Sequence, residues 1–309
     1  MKKIAFYIAL LVTVVSCGQS YQEHKQRTKE ESARAQREDS LALKVAVMPT
    51  LDCLPLFVAK EYGYFDTLKV DVRLRVHNSP LECAEDLAYD KTEGAVTDVF
   101  HVERLRNKGK ELRYVSSTDA YWQAIANRSA RIKDMKQMEG KMITMSRYSV
   151  TDYIASTGLD SAKLDDMKAF KIQIHNPRIA YDMLRNNEVD VAILPEPYAT
   201  EARLQKNPVI IDTKKQQLWA GVIAFSDKKL ADKRINAQYK KFVRCYDMAC
   251  DSINARGIAY YTDILNKYYG INNPKVIDAI PKTKYHHARA PRQEDVMCAE
   301  KWVVRNKKR

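Results

Sequence analysis

From Leu43 onward the chain alternates between short apolar runs and longer segments with apolar residues at helical spacing. Lys44–Met48 reads as a first strand ended by Pro49, and Leu54–Tyr62 as a helix stopped by Gly63. Val70, Val72, Leu74 and Val76 alternate with Asp71, Arg73 and Arg75, the period of a half-buried strand. A helix near Leu81–Tyr89, the strand Gly94–Val99, a helix to Lys108 and the strand Leu112–Ser116 follow. The rhythm then restarts. Lys141–Met145, Phe170–Ile174 and Val189–Leu194 read as strands, separated by helices over Val150–Gly158 and from Pro177. Pro197–Gln205 is a further helix, and Val209–Ile211 and Ala220–Phe225 are the last strands. In Asn236–Arg256, Tyr239, Phe242, Val243, Tyr246, Ala249 and Ile253 share one helix face. Strands separated by helices predict an α/β protein with parallel sheets covered on both faces. An acid closes a strand in each half, Asp98 in the first and Glu196 in the second. Ligands in open α/β sheets bind beyond the carboxyl ends of the strands, so two facing sheets would form a cleft.

Composition adds bounds. At 309 residues the chain has room for two domains, and 45% hydrophobic residues are enough for a sizeable core. The formal charge of +13 suggests a nucleic-acid partner, but the N-terminus argues against one. Lys2 and Lys3 precede a charge-free run from Ile4 to Val15, too short for a membrane span and suited to an export signal. The run closes on Val14-Val15-Ser16-Cys17-Gly18, which resembles a bacterial lipobox with Cys17 as the lipidated residue. Residues 1–16 are then a signal peptide, and cleavage leaves 293 residues carrying +11. Residues 17–40 carry balanced charge and almost nothing apolar, so they read as a tether with at most transient helix. The basic residues Lys301, Arg305, Lys307, Lys308 and Arg309 read as a solvated tail.

Four blocks carry a family resemblance. They are Leu54-Pro55-Leu56-Phe57-Val58-Ala59-Lys60-Glu61-Tyr62-Gly63-Tyr64-Phe65, Glu93-Gly94-Ala95-Val96-Thr97-Asp98, Met138-Glu139-Gly140-Lys141, and Val189-Asp190-Val191-Ala192-Ile193-Leu194-Pro195-Glu196-Pro197-Tyr198. In order and spacing they resemble the ABC-importer substrate-binding lipoproteins of the nitrate/sulfonate/taurine and thiamine-pyrimidine binding group, over roughly residues 43–300. The resemblance implies a type 2 periplasmic binding protein fold, in which two βα lobes close on a ligand about two hinge crossovers. The crossovers fall near Asp119–Trp122 and Gln216–Ala220, giving lobe 1 as 41–120 plus 219–309 and lobe 2 as 121–218. The implied partners are a small-molecule ligand, an ABC permease subunit and a membrane reached through the lipid anchor. No nucleic acid, no cofactor and no metal are expected, and the protein is expected to be a monomer facing the periplasm or exterior.

The candidate ligand contacts are Thr50 and Asp52 after the first strand, Thr97 and Asp98 at the end of the third, and Ser146, Arg147, Tyr148 and Ser149 before the helix at Val150. Glu196, set between two prolines, completes them. Arg147 offers a forked donor for an anion, whereas Asp52 and Ser149 suit helix caps, with Asp152 in the capping-box position. Tyr121, Trp122, Tyr148 and Trp219 are candidates for stacking or gating. Acids outnumber Arg147 at these positions, so the ligand is expected to carry a cationic or hydrogen-bond-donating part, as a thiamine-pyrimidine-like or amino-acid-like molecule does; a sulfonate is the remaining candidate. Two alternatives stand beside transport. One is a thiaminase-like enzyme of the same fold with Cys53 as nucleophile, its thiol activated at a helix N-terminus. The other is a sensor or adhesion lipoprotein. Of the five remaining cysteines, Cys53 and Cys83 could form a disulfide in an oxidising envelope, but small buried hydrophobes are the plainer expectation.

Overall fold

The computed structural model describes residues 2–306, with side chains from Tyr21 onward except residue 22. It forms two compact units, Met1–Ala42 and Leu43–Arg309. The first is a single helix, α1 (Lys2–Leu41). The stretch expected to be a tether is thus helical throughout. Residues 19–41 contain neither Gly nor Pro and are rich in Glu, Gln, Arg, Lys and Ala, which favour helix. Spacing of four places Arg34 Nε 2.9 Å from Glu38 Oε1. Among the described residues no helix is long and apolar enough to cross a membrane. The side chain of Cys17, the expected lipidation site, lies outside the described residues.

The second unit opens with β1 (Leu43–Val47), α2 (Leu54–Glu61), α3 (Tyr64–Thr67), β2 (Val72–Val76) and α4 (Pro80–Ala88). It continues through β3 (Gly94–Asp98), α5 (Val99–Asn107) and β4 (Leu112–Ser117), then crosses to β5 (Trp122–Ala126). The next βα units are β6 (Met142–Met145), α6 (Val150–Ser161), β7 (Phe170–Gln173), α7 (Pro177–Arg185), β8 (Val191–Pro195), α8 (Tyr198–Leu204) and β9 (Val209–Asp212). A second crossing leads to β10 (Gly221–Ser226), α9 (Asp227–Leu230) and α10 (Lys233–Arg256). The helices α11 (Thr262–Tyr269), α12 (Pro274–Ala279) and α13 (Gln293–Arg305) close the unit.

The strands form two five-stranded sheets, in the orders β2-β1-β3-β10-β4 and β7-β6-β8-β5-β9. They are mixed, not wholly parallel as the βα rhythm predicts. β1 pairs in parallel with β2 and β3, and β6 with β7 and β8. β10 runs antiparallel to β3 and β4, and β5 antiparallel to β8 and β9. The cause is the crossing itself. β4 leaves its sheet at the carboxyl edge and enters the other sheet at that sheet's carboxyl edge, so the next strand must run backwards. The strand β5 is not foreseen in the sequence, because all five of its residues are buried and Trp-Gln-Ala-Ile-Ala shows no alternation.

The apolar face foreseen for α10 gains Cys245 and Cys250, both buried, beside Phe242, Tyr246, Ala249 and Ile253. Phe242 stacks on Phe65 and tilts against Phe225, both buried. The C-terminal basic residues Lys301 and Arg305 belong to α13 and not to a free tail, for Trp302 and Val303 between them are buried. Trp302 meets the Phe100 ring edge-on at 5.6 Å. Among the described residues Cys53, Cys83, Cys245, Cys250 and Cys298 are free thiols, and no Cys53–Cys83 bridge forms.

Gly94 opens β3 directly beneath the Phe225 ring, where an added Cβ would overlap the ring atoms. Gly94→Ala is therefore expected to destabilise the protein by about 1–3 kcal/mol. Denaturant unfolding should show a lowered midpoint, and Phe225→Leu in the same chain should recover part of the loss.

Candidate functional site

The carboxyl edges of both sheets face one another; the loops leaving β1, β6 and β8 carry seven of the nine predicted contact residues, and Thr97 and Asp98 are the last two residues of β3 itself. Thr50 precedes a single 3-10 turn, Leu51–Cys53, its side chain 3.9 Å from Cys53 Sγ. Asp52 is partly buried and accepts from Thr118 Oγ1 at 3.2 Å. Burial pushes its carboxyl above the usual range, against the hydrogen bonds that favour the charge. No cation pairs with it among the described residues.

Asp98 is fully buried at the end of β3. Its Oδ1 caps α5 by accepting from the His101 backbone N–H at 3.0 Å, and His101 Nδ1 lies 3.0 Å from Oδ2. The same Oδ2 accepts from the Val150 N–H of α6, in the opposite sheet's layer, at 3.4 Å. One carboxylate thus sits between two helix N-termini, where partial positive charge gathers. Thr97 supports it from beside, donating to the Pro80 carbonyl at 3.0 Å and lying 3.3 Å from His101 Nδ1.

The loop before α6 folds on itself. Ser149 caps the helix by accepting from Thr151 N–H, and Asp152 accepts from Tyr148 N–H. The reciprocal pair foreseen for Ser149 and Asp152 is therefore shifted, with Asp152 reaching one residue further back. Ser146 Oγ is 2.7 Å from His175 Nδ1. Arg147, the expected anion fork, is exposed and makes no contact among the described residues. Its neighbour Tyr148 holds a left-handed backbone (φ 65°) and receives the Arg104 guanidinium over its ring at 3.6 Å.

Glu196 is buried, and its carboxylate is already saturated. Tyr121 and Arg203 donate to Oε1 at 3.0 and 2.8 Å, and Thr200 donates to Oε2 through both its N–H and its hydroxyl. Its backbone carbonyl accepts from Leu51 N–H at 3.1 Å, and Tyr198 donates to the Pro49 carbonyl at 3.2 Å. Tyr121 meets Trp219 edge-on and Trp122 lies buried in β5, and Tyr121 and Trp122 each also line a cavity of the cleft.

These contacts hold the cleft shut. Two small cavities remain inside it. One of about 40 Å³ is lined by Asp52, Thr118, Tyr121, Glu196 and Tyr285. One of about 20 Å³ is lined by Asp98, Trp122, Thr144, Ser146 and His175. Each holds little more than a water, so a larger ligand requires the sheets to part. A larger cavity, of about 590 Å³, lies between α6 and α13, and no predicted contact residue lines it.

Cys53 stands at the N-cap of α2, as the nucleophile alternative requires, but it is wholly buried. Burial pushes its thiol well up, opposite to the activation expected at a helix N-terminus. Among the described residues no cluster of His, Cys, Asp and Glu suits a metal. Sequence reading overlooked His101, His175 and Thr144. His101 had a signal, since it stands three residues after the capping Asp98. The other two are neighbours through the fold alone.

Two facing α/β sheets with a cleft at their carboxyl edges define a type 2 periplasmic binding protein. The sequence matches the family described as NMT1/THI5 like over residues 50–252, and the chain belongs to that family. The fold is similar to that of the periplasmic aliphatic sulphonate binding protein SsuA from Escherichia coli, with a TM-score of 0.70 and 14% identity over 86% of this chain and 92% of that one. The MOPS-bound alkanesulfonate-binding protein SsuA from Xanthomonas axonopodis pv. citri gives 0.71 and 11%, over 85% and 91%. The periplasmic nitrate-binding protein NrtA from Synechocystis PCC 6803 gives 0.66 and 12%, over 82% and 74%. No curated protein sequence matches the chain.

Burial holds the His175 imidazole below its ordinary value of about 6.5, while the hydrogen bond to Asp251 raises that of His287. The neutral form of His175 is the native one. The stability it supports is present above pH 6.5 and declines as the pH falls below that value. NMR titration of the ring protons should give a midpoint below 6.5 for His175 and above it for His287.

Proposed function

We propose that this protein is an extracytoplasmic solute-binding lipoprotein that takes up a small polar organic ligand in its cleft and delivers it to an ABC importer. In this reading Cys17 carries the lipid anchor and α1 spaces the body from the membrane. Segments 41–120 plus 219–309 form one lobe and 121–218 the other, hinged at the two crossings. Support comes from family membership and from four strand-end loops converging on one cleft. In this reading the chain acts by binding, and the Cys53 nucleophile alternative is disfavoured because burial pushes that thiol's pKa up.

One observation carries the choice of ligand. Asp52 is the cleft carboxylate without a cationic partner among the described residues, whereas Glu196 is paired with Arg203. Its hydrogen bonds come from neutral hydroxyl and backbone donors alone, and a protonated nitrogen from a ligand would add the missing opposite charge. A thiamine-pyrimidine-like or amino-acid-like molecule supplies one, and a plain sulfonate does not. Thr50, Asp52, Thr97, Asp98, Ser146, Tyr148, Ser149 and Glu196 surround the ligand, and Arg147 approaches it only after the loop moves.

Native mass spectrometry of freshly purified protein should reveal a co-purified amine-bearing molecule. Asp52→Asn should weaken its binding by about tenfold or more, since a hydrogen bond to a charged group is worth about 1.5–3 kcal/mol. Unchanged affinity measured by calorimetry would place the ligand elsewhere.

A further inference from the structure

The cavity at the N-terminus of α6 is built to hold an anion, and the chain fills it with one of its own. The Val150 N–H points to Asp98 Oδ2 at 3.4 Å, and His101 Nδ1 reaches the same oxygen at 3.0 Å. Facing a carboxylate, which only accepts, Nδ1 carries the hydrogen. Around this carboxylate two buried polar atoms have no partner. Thr144 Oγ1 lines the cavity and belongs to a residue 1% exposed, and His101 Nε2 belongs to one 2% exposed. Buried polar atoms of this kind are costly unless something completes them. The site therefore has an anion in place and unpaired hydrogen-bonding capacity beside it.

We propose that Asp98 is a specificity-determining residue, a resident anion that bars nitrate, sulfonate and other oxyanions from the α6 N-terminus. What remains for a ligand is a carboxylate-faced pocket with the Thr144 hydroxyl to satisfy, which admits a neutral or cationic hydrogen-bond donor. Adding a second anion against Asp98 would bring two like charges together in a buried space, an arrangement that costs more there than at a surface. This inference rests on the solute-binding reading and sharpens it. There Asp52 recruits the cation; here Asp98 excludes the anion.

The test uses Asp98→Ser, since serine caps a helix N-terminus about as well as aspartate and so keeps the start of α5. Nitrate is the oxyanion probe, being planar and close to a carboxylate in size, and benzamidine is the cationic probe. Thermal shift and calorimetry of the full chain are read against potassium chloride at equal ionic strength. The wild type should respond to benzamidine and not to nitrate, and the variant should bind nitrate at least tenfold more tightly than the wild type does. If Asp98→Ser does not fold, Asp98→Asn, which removes the charge at constant size, should show the same gain in smaller measure. Nitrate binding to the wild type as tight as to either folded variant overturns the proposal, as does a folded variant that gains none. A variant that gains nitrate while the wild type ignores benzamidine upholds the role of Asp98 and defeats the amine reading at Asp52.

Discussion

The architecture depends on where the chain crosses between its two sheets. Both crossings, over residues 118–121 and 213–220, join strands at the carboxyl edges. That placement forces β5 and β10 to run against their neighbours and locks each sheet around a strand contributed from the other side. It also turns the strand ends of both sheets toward a shared space. Loops at strand ends can vary without disturbing the ladders behind them, so the cleft is the natural place for recognition. Hinge motion about two short crossings follows from the same geometry.

Inside that space the chemistry is dominated by carboxylates in three different conditions. Glu196 is enclosed and neutralised by Arg203, Tyr121 and Thr200, and it holds β8 to the start of α8. Asp98 has no cation other than what His101 and two helix ends supply. Asp52 has neutral hydroxyl and backbone donors but no cation among the described residues. Burial makes an unpaired carboxylate expensive, so these differences in pairing are differences in appetite for a ligand. The exposed Arg147 is too weakly placed to reverse that balance.

Polar and aromatic contacts together shut the cleft, the Phe100 and Trp302 rings against Tyr153 of α6 among them. Two backbone-directed hydrogen bonds near Leu51 and Tyr198, the long bond from Val150, and the Arg104–Tyr148 stack span it. Each is worth about 0.5–3 kcal/mol at most, and water competes for all of them. Opening the cleft means giving up these contacts, and a ligand that bridged the same loops would favour the closed form. Two cavities of about 40 and 20 Å³ mark where the cleft has not fully collapsed.

The sequence by itself determined the alternation of strand and helix, the family, and the four loops that meet at the cleft. These follow from local rules: hydrophobic period, glycine stops such as Gly63, prolines such as Pro177 at helix starts, and acids such as Asp98 closing strands. Tertiary structure alone decided the rest. The strand β5 exists because burial on both faces supports a segment whose own pattern is mute. Lys301 and Arg305 belong to a packed helix in which Trp302 meets Phe100, whereas Lys307, Lys308 and Arg309 of the foreseen tail lie outside the described residues. Arg147 and Asp98, both legible as polar loop residues, were sorted into an exposed side chain and a buried anion by neighbours distant in sequence. Charge state and pairing depend on what lies across a gap, and that is set when the two sheets close.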